Sequence, residues 1–300
     1  MKWDGQRESD QIEDRRDDAG GGGRSGGIRL PVGRGGRGVG LGTVAVALLA
    51  GWIFGINPLT VLGLLGGGSA DAPVTQSAPH TPRAAPKDES ARFVATVLAS
   101  TEDVWGEVFQ AAGSTYRKPV LVLFRGSTTT ECGRGEAAMG PFYCPGDQKV
   151  YLDLDFFDVM RQRLGAPGDF AQAYVVAHEV GHHVQRLSGV TDKVEQARRR
   201  LGEAQANALS VRVELQADCY AGLWAHHAEQ AKRWLDAGDI EEALHAASQI
   251  GDDTLQHNAG GAVAPESFTH GSSEQRVRWF RRGFDSGKVA DCNALESRQI

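Results

Sequence analysis

None of the four cysteines stands in a C-x-x-C pair, so a cysteine-built zinc site is not expected. The chain also lacks a basic surplus. Lys plus Arg total 32 against 38 Asp plus Glu, a formal net charge of -6. That argues against a nucleic-acid binder, which needs a basic face. There is no internal repeat. Apolar groups are scarce over residues 1–38, where the run Gly20–Gly23 and a Gly/Arg stretch from Gly26 to Gly38 leave too little to bury. Such a segment is expected to be disordered. Acids are missing between Gly20 and Gly38, while Arg24, Arg29, Arg34 and Arg37 are present.

Charge of either sign is missing from residues 39–65. About 20 apolar residues span a bilayer, so this stretch predicts one transmembrane helix, with Asn57-Pro58 marking a kink or its end. A cleaved signal peptide fits less well, because the stretch begins some forty residues in and is long for a signal core. The arginines before it, under the positive-inside rule, place the N-terminus in the cytoplasm. All that follows is then expected outside it, where disulfides persist. Residues 66–90 (Ala72-Pro73, Ala78-Pro79, Thr81-Pro82, Ala85-Pro86) read as a semi-extended linker. Residues 91–300 read as a globular domain.

That domain is predicted to be α+β, a small antiparallel sheet followed mostly by helices. Apolar recurrence gives helices near 91–112, 156–164, 170–187, 191–230 (with a break), 239–256 and 273–285. The run 119–124 (PVLVLF) is a buried strand, and 142–144 and 149–154 flank a turn at Pro145-Gly146-Asp147.

The chemistry concentrates at His178-Glu179-Val180-Gly181-His182, an H-E-x-x-H pattern. On a helix, positions four apart share a face. His178 and His182 can therefore hold one ion, with Glu179 beside them as general base. Phe170, Tyr174, Ala177, Val180 and Val184 supply the helical stripe, closed by Gly189. A catalytic zinc takes three protein ligands and keeps one open position. Glu214, in a second helical stretch, is the candidate third ligand. Asp218, one turn further on, can orient a ligand histidine. Two carboxylates among Val211, Leu215, Ala217, Tyr220, Leu223 and Trp224 would be costly to bury without such partners. In Thr269–Arg276, His270 and Arg276 can stabilise an oxyanion, or the segment is simply a helix N-cap at Ser272 or Ser273. His183, His226 and His227 are expected at the surface or in the core rather than on the metal.

The chain resembles the bacterial predicted neutral zinc metallopeptidases that carry one N-terminal membrane anchor. The likeness rests on Trp3–Ser9, Ile12–Arg16, Phe142–Pro145, Tyr151–Asp153, Ala177–Gln185, Glu214–Cys219 and Phe268–Ser273. It implies a zincin-type fold, with the histidine helix beside a small sheet and the glutamate on a following helix. It also implies that the 149–154 strand pairs with an extended peptide. The 269–276 segment is similar to the His-Pro segment of membrane-associated zinc peptidases, although Gly271 stands where proline would be. Four cysteines allow three pairings; under the resemblance, Cys132–Cys144 and Cys219–Cys292 are favoured. The expected function is zinc-dependent hydrolysis of exported or envelope polypeptides. The alternative is a latent or non-catalytic zinc-bound module of the envelope. The presence of Glu179 favours the enzyme.

Overall fold

A computed structural model of the chain describes residues 1–17, 88–136, 140–260 and 262–300. The anchor expected over 39–65 and most of the 66–90 linker lie outside these. Among the described residues, no helix is long and apolar enough to cross a membrane.

The main sheet has four strands in the order β1-β2-β6-β5. They are β1 (Ile12–Asp14), β2 (Val120–Phe124), β5 (Phe142–Cys144) and β6 (Lys149–Asp153). β2 runs parallel to both β1 and β6, and only β5 and β6 are antiparallel. The expected antiparallel sheet is therefore corrected to a mixed one. The physical reason is connectivity. A tight turn joins β5 to β6, with Gln148 at φ 58. Between β2 and β5 the chain makes a separate hairpin, β3 (Ser127–Thr130) with β4 (Gly133–Glu136). That detour lets β6 return in the direction of β2.

A second correction concerns residues 1–38. Residues 1–17 are not a free tail. They supply β1, whose Ile12 is buried in the main core, and Trp3 packs edge-on against Phe93 at 5.4 Å.

Eight α-helices follow among the described residues. α1 (Glu89–Ala111) starts at Asp88, whose carboxylate accepts from Ala91 N at 3.1 Å, three residues ahead of the expected helix start. Next come α2 (Asp155–Arg163), α3 (Asp169–Leu187), α4 (Val190–Arg198) and α5 (Glu203–Lys232). The last three are α6 (Asp239–Gln249), α7 (Asp252–Asn258) and α8 (Ser273–Ser286). The 239–256 stretch, expected as one helix, breaks at Gly251, where an added Cβ would collide with Ser273. α8 opens on a full capping box, Ser272 with Gln275.

α3 is the hub, in contact with the sheet, α1, α5 and α6. Its stripe Phe170, Tyr174, Ala177, Val180 and Val184 is buried as the spacing predicts. Each large side chain there contributes about 1.5–3 kcal/mol of burial. α5 is buried all round at its middle and meets α8 at two glycines. A Cβ at Gly222 would strike the Phe280 carbonyl, and one at Gly283 the Cys219 carbonyl. The disulfides are Cys132–Cys144 and Cys219–Cys292, the favoured pairing.

Candidate active site

α3 and α5 cross closely because Gly181 leaves no side chain between them; a Cβ there would lie 3.1 Å from Ala217 Cα. This approach faces His178 and His182 on α3 toward Glu214 on α5. His178 Nε2 lies 3.1 Å and His182 Nε2 3.6 Å from Glu214 Oε2, and all three donors fall within 4.8 Å of one another. Tetrahedral zinc with bonds of about 2.0–2.1 Å places neighbouring donors about 3.4 Å apart. The three side chains thus fit a zinc ion in both donor type and spacing.

The outward nitrogens are held as a metal site requires. His178 Nδ1 donates to Asp218 Oδ1 at 2.9 Å, and His182 Nδ1 to Gln185 Oε1 at 2.9 Å. Gln185 is fixed in turn by donating to Val213 O and Gln216 Oε1. Sequence reasoning gave Gln185 no role. Its position three residues past His182, on the same helical face, was the available signal.

Asp218 is fully buried and accepts from three side chains. Tyr174 Oη donates at 2.6 Å, and Arg276 donates through Nε and Nη2, both at 2.9 Å. Burial alone would raise the Asp218 pKa, but Arg276 and His178 hold it low. An oxyanion partner was one of two readings of the Arg276 segment, the other being a helix N-cap. Arg276 is 3% exposed and donates to Asp218, Tyr174 and the Ile250 carbonyl. Its guanidinium thus holds the carboxylate that holds His178, and it also borders the cleft.

Burial disfavours charge on both ligand histidines, yet Asp218 and Glu214 raise His178 to about 10, and Glu214 raises His182. Metal uptake would need the Nε2 of each histidine free of a proton. Glu179 lines the same cleft. Burial raises its pKa, opposed by the charges of His182 and His178.

His270 also reaches this cleft. It is positioned by Asp252, which the sequence did not single out. Asp252 Oδ2 accepts from the backbone N–H groups of Thr269, His270 and Gly271 at 2.7, 2.7 and 3.0 Å. Asp252 Oδ1 takes the His270 Nδ1 proton at 3.1 Å. Burial works against charge on His270, but Asp252 and Glu214 raise its pKa.

Among the described residues, His183, His226 and His227 stand outside the group of His178, His182 and Glu214. His226 and His227 bond the Phe284 and Gly287 carbonyls. His183 is buried, donates from Nε2 to Arg117 O at 2.6 Å, and accepts at Nδ1 from the Tyr143 hydroxyl at 3.0 Å. It ties β5 to the histidine helix. Burial lowers its pKa to about 4. The unfolded chain, with histidine near 6.5, binds this proton more readily than the folded one. Stability is then lost as pH falls from about 6.5 toward 4. Between pH 7 and pH 5 the group should cost about 2 kcal/mol. Urea unfolding at the two pH values checks this, because His183→Gln should remove that share of the pH dependence. An unchanged dependence would show that His183 is not held neutral.

A second group of acids, Asp169, Asp239 and Glu242, also clusters. The amino-terminal ammonium lies among them, 3.0 Å from Asp169 and 3.5 Å from Asp239, so a cation already balances it.

The cleft measures about 620 Å³ and is lined by Phe142, Tyr143, Phe156, Leu164, Val175 and Ile250 beside the ligand set. The strand expected to meet substrate, 149–154, is β6, and β2 and β5 occupy both its edges. β5 is the edge strand, and it borders the cleft.

An H-E-x-x-H helix, a glutamate from the next long helix and a buried carboxylate behind the first histidine make this an α+β protein of the metallopeptidase type. The chain belongs to the family described as "Putative neutral zinc metallopeptidase", whose model matches residues 1–295. YpfJ of Escherichia coli K12 is 51% identical over 296 residues, covering 98% of this chain and 99% of that one. Mb2605 of Mycobacterium bovis and Rv2575 of Mycobacterium tuberculosis are each 40% identical over 219 residues, 70% of this chain and 73% of theirs. All three bear the description "uncharacterized protein". No solved structure matches the chain.

Proposed function

We propose that the chain is a zinc-dependent endopeptidase acting on exported or envelope polypeptides. The observation that carries this reading is the convergence of His178 Nε2, His182 Nε2 and Glu214 Oε2, with Glu179 in the same open cleft. A zinc ion held there would supply Lewis-acid polarisation of water and of the scissile carbonyl. Glu179 takes the proton of the attacking water and returns it to the leaving amine. His270, aimed by Asp252, donates from Nε2 toward the developing oxyanion. The β5 edge and the apolar wall beside it favour an extended peptide over a small polar substrate. The two disulfides support an oxidising compartment, and hence exported substrates.

The test is hydrolysis of an unstructured protein by the full-length chain, with metal content followed in parallel. A chelator should abolish cleavage, and zinc at one ion per chain should restore it. Cleavage that persists in metal-stripped protein would sink the reading. His270→Ala should lower kcat on the order of 100-fold with zinc content unchanged. Full activity in that variant would remove His270 from the chemistry.

A further inference from the structure

Residues 1–17 are joined to residues 88–300 through every layer of interaction. β1 lies parallel to β2 with Ile12 opposite Leu121, and Leu121 N donates to Gln11 O at 2.9 Å while Arg15 N donates to Leu123 O at 2.8 Å. Glu13 pairs with Lys149 at 2.7 Å, and Glu8 with Arg92 at 2.9 Å. Glu102 is the clearest case. Its carboxylate is 1% exposed and receives the Ser9 hydroxyl, Arg7 at 3.0 Å and Lys118 at 2.9 Å. Two of these three partners come from the N-terminal segment. Without it, a buried carboxylate keeps only Lys118, a costly arrangement.

The two ends of the intervening chain also meet. Arg16 bridges Asp14 and Asp88, each at 2.7 Å. Residues 16 and 88 therefore stand side by side on the domain. A single crossing by the uncharged stretch 39–65 would part Arg16 from Asp88 by a hydrocarbon layer about 30 Å thick. Two helical crossings need about twice the roughly 20 apolar residues of one, more than this stretch supplies. The positive-inside expectation, which set residues 1–38 across the membrane from the domain, conflicts with this ion pair and with β1.

We propose that residues 1–17 occupy the same compartment as residues 88–300, the oxidising one in which the disulfides form, and serve there as an integral strand of the domain. The chain then associates with a membrane, where it does so, from one side.

The test uses full-length chain in the membranes of expressing bacterial cells. Asp4 and Glu274 have side chains 87% exposed, and the described cysteines are all paired, so an introduced thiol reports alone. Asp4→Cys and, separately, Glu274→Cys are treated on intact spheroplasts with a membrane-impermeant maleimide, then again after lysis. Both should label fully before lysis. Labelling of Glu274→Cys alone before lysis would overturn the proposal. Protection of both until lysis would overturn the oxidising compartment. In the same membranes, Arg16→Cys combined with Asp88→Cys should be joined by a flexible bis-maleimide cross-linker, read by peptide mapping. Two thiols that the cross-linker leaves unjoined would overturn the docking.

Discussion

Glu179→Gln is expected to lower kcat by on the order of 10²–10⁴-fold while leaving one zinc per chain. Glu179 sits between the two ligand histidines on α3 and lines the cleft, but it is not one of the three groups that converge on a single point. Glutamine keeps its shape and loses only the ability to take a proton. The ligand geometry rests on Asp218, Gln185 and the α3–α5 contact, none of which the substitution touches. The measurement is kcat on an unstructured peptide beside metal content by atomic spectroscopy. Loss of zinc would reassign Glu179 to the metal. Unchanged turnover would assign the proton transfer to another group.

Arg276→Met should destabilise the domain by about 3–5 kcal/mol, read by urea unfolding of metal-free protein. The guanidinium and the Asp218 carboxylate are both buried and share two hydrogen bonds. Removing one partner leaves the other charge stranded, which costs more than the pair itself is worth. Lysine should not rescue it, because a single ammonium does not reproduce the two-pronged contact. The double variant Asp218→Asn with Arg276→Met should recover part of the loss, the mark of a coupled pair. Zinc affinity should also fall about 10–100-fold, because Asp218 orients His178. A stability change below about 1 kcal/mol would show that Asp218 carries no charge in the folded protein.

The parts of the site legible in the sequence were those written at helical spacing. His178 and His182 are four apart, as are Glu214 and Asp218, and the apolar stripes of α3 and α5 turned both pairs to the interior. What stayed hidden depended on partners far along the chain. β1 is three residues long, Ile-Glu-Asp, too short for an alternating pattern, and its attachment rests on Glu102, Asp88 and Lys149. Asp252 was hidden by the helix read through 239–256. The break at Gly251 is forced by Ser273, some twenty residues away, and only that break turns the carboxylate toward the 269–271 turn. Arg276 carried the right charge in the right segment, but its direction is set by packing of α8 on α5 through Gly222 and Gly283. The parallel pairing of β2 with β6 left no local mark, since turn residues report only the antiparallel neighbour.

Gly181 occupies a position that the H-E-x-x-H pattern leaves open to any residue. Here it fixes the distance between two helices, and with it the gap between the histidine nitrogens and Glu214. A methyl group at 181 would press on Ala217 and spread that gap by tenths of an ångström. For a zinc ion held there, rather than a cation as large as calcium with bonds of about 2.3–2.6 Å, the fit would thus depend partly on a residue outside the donor set.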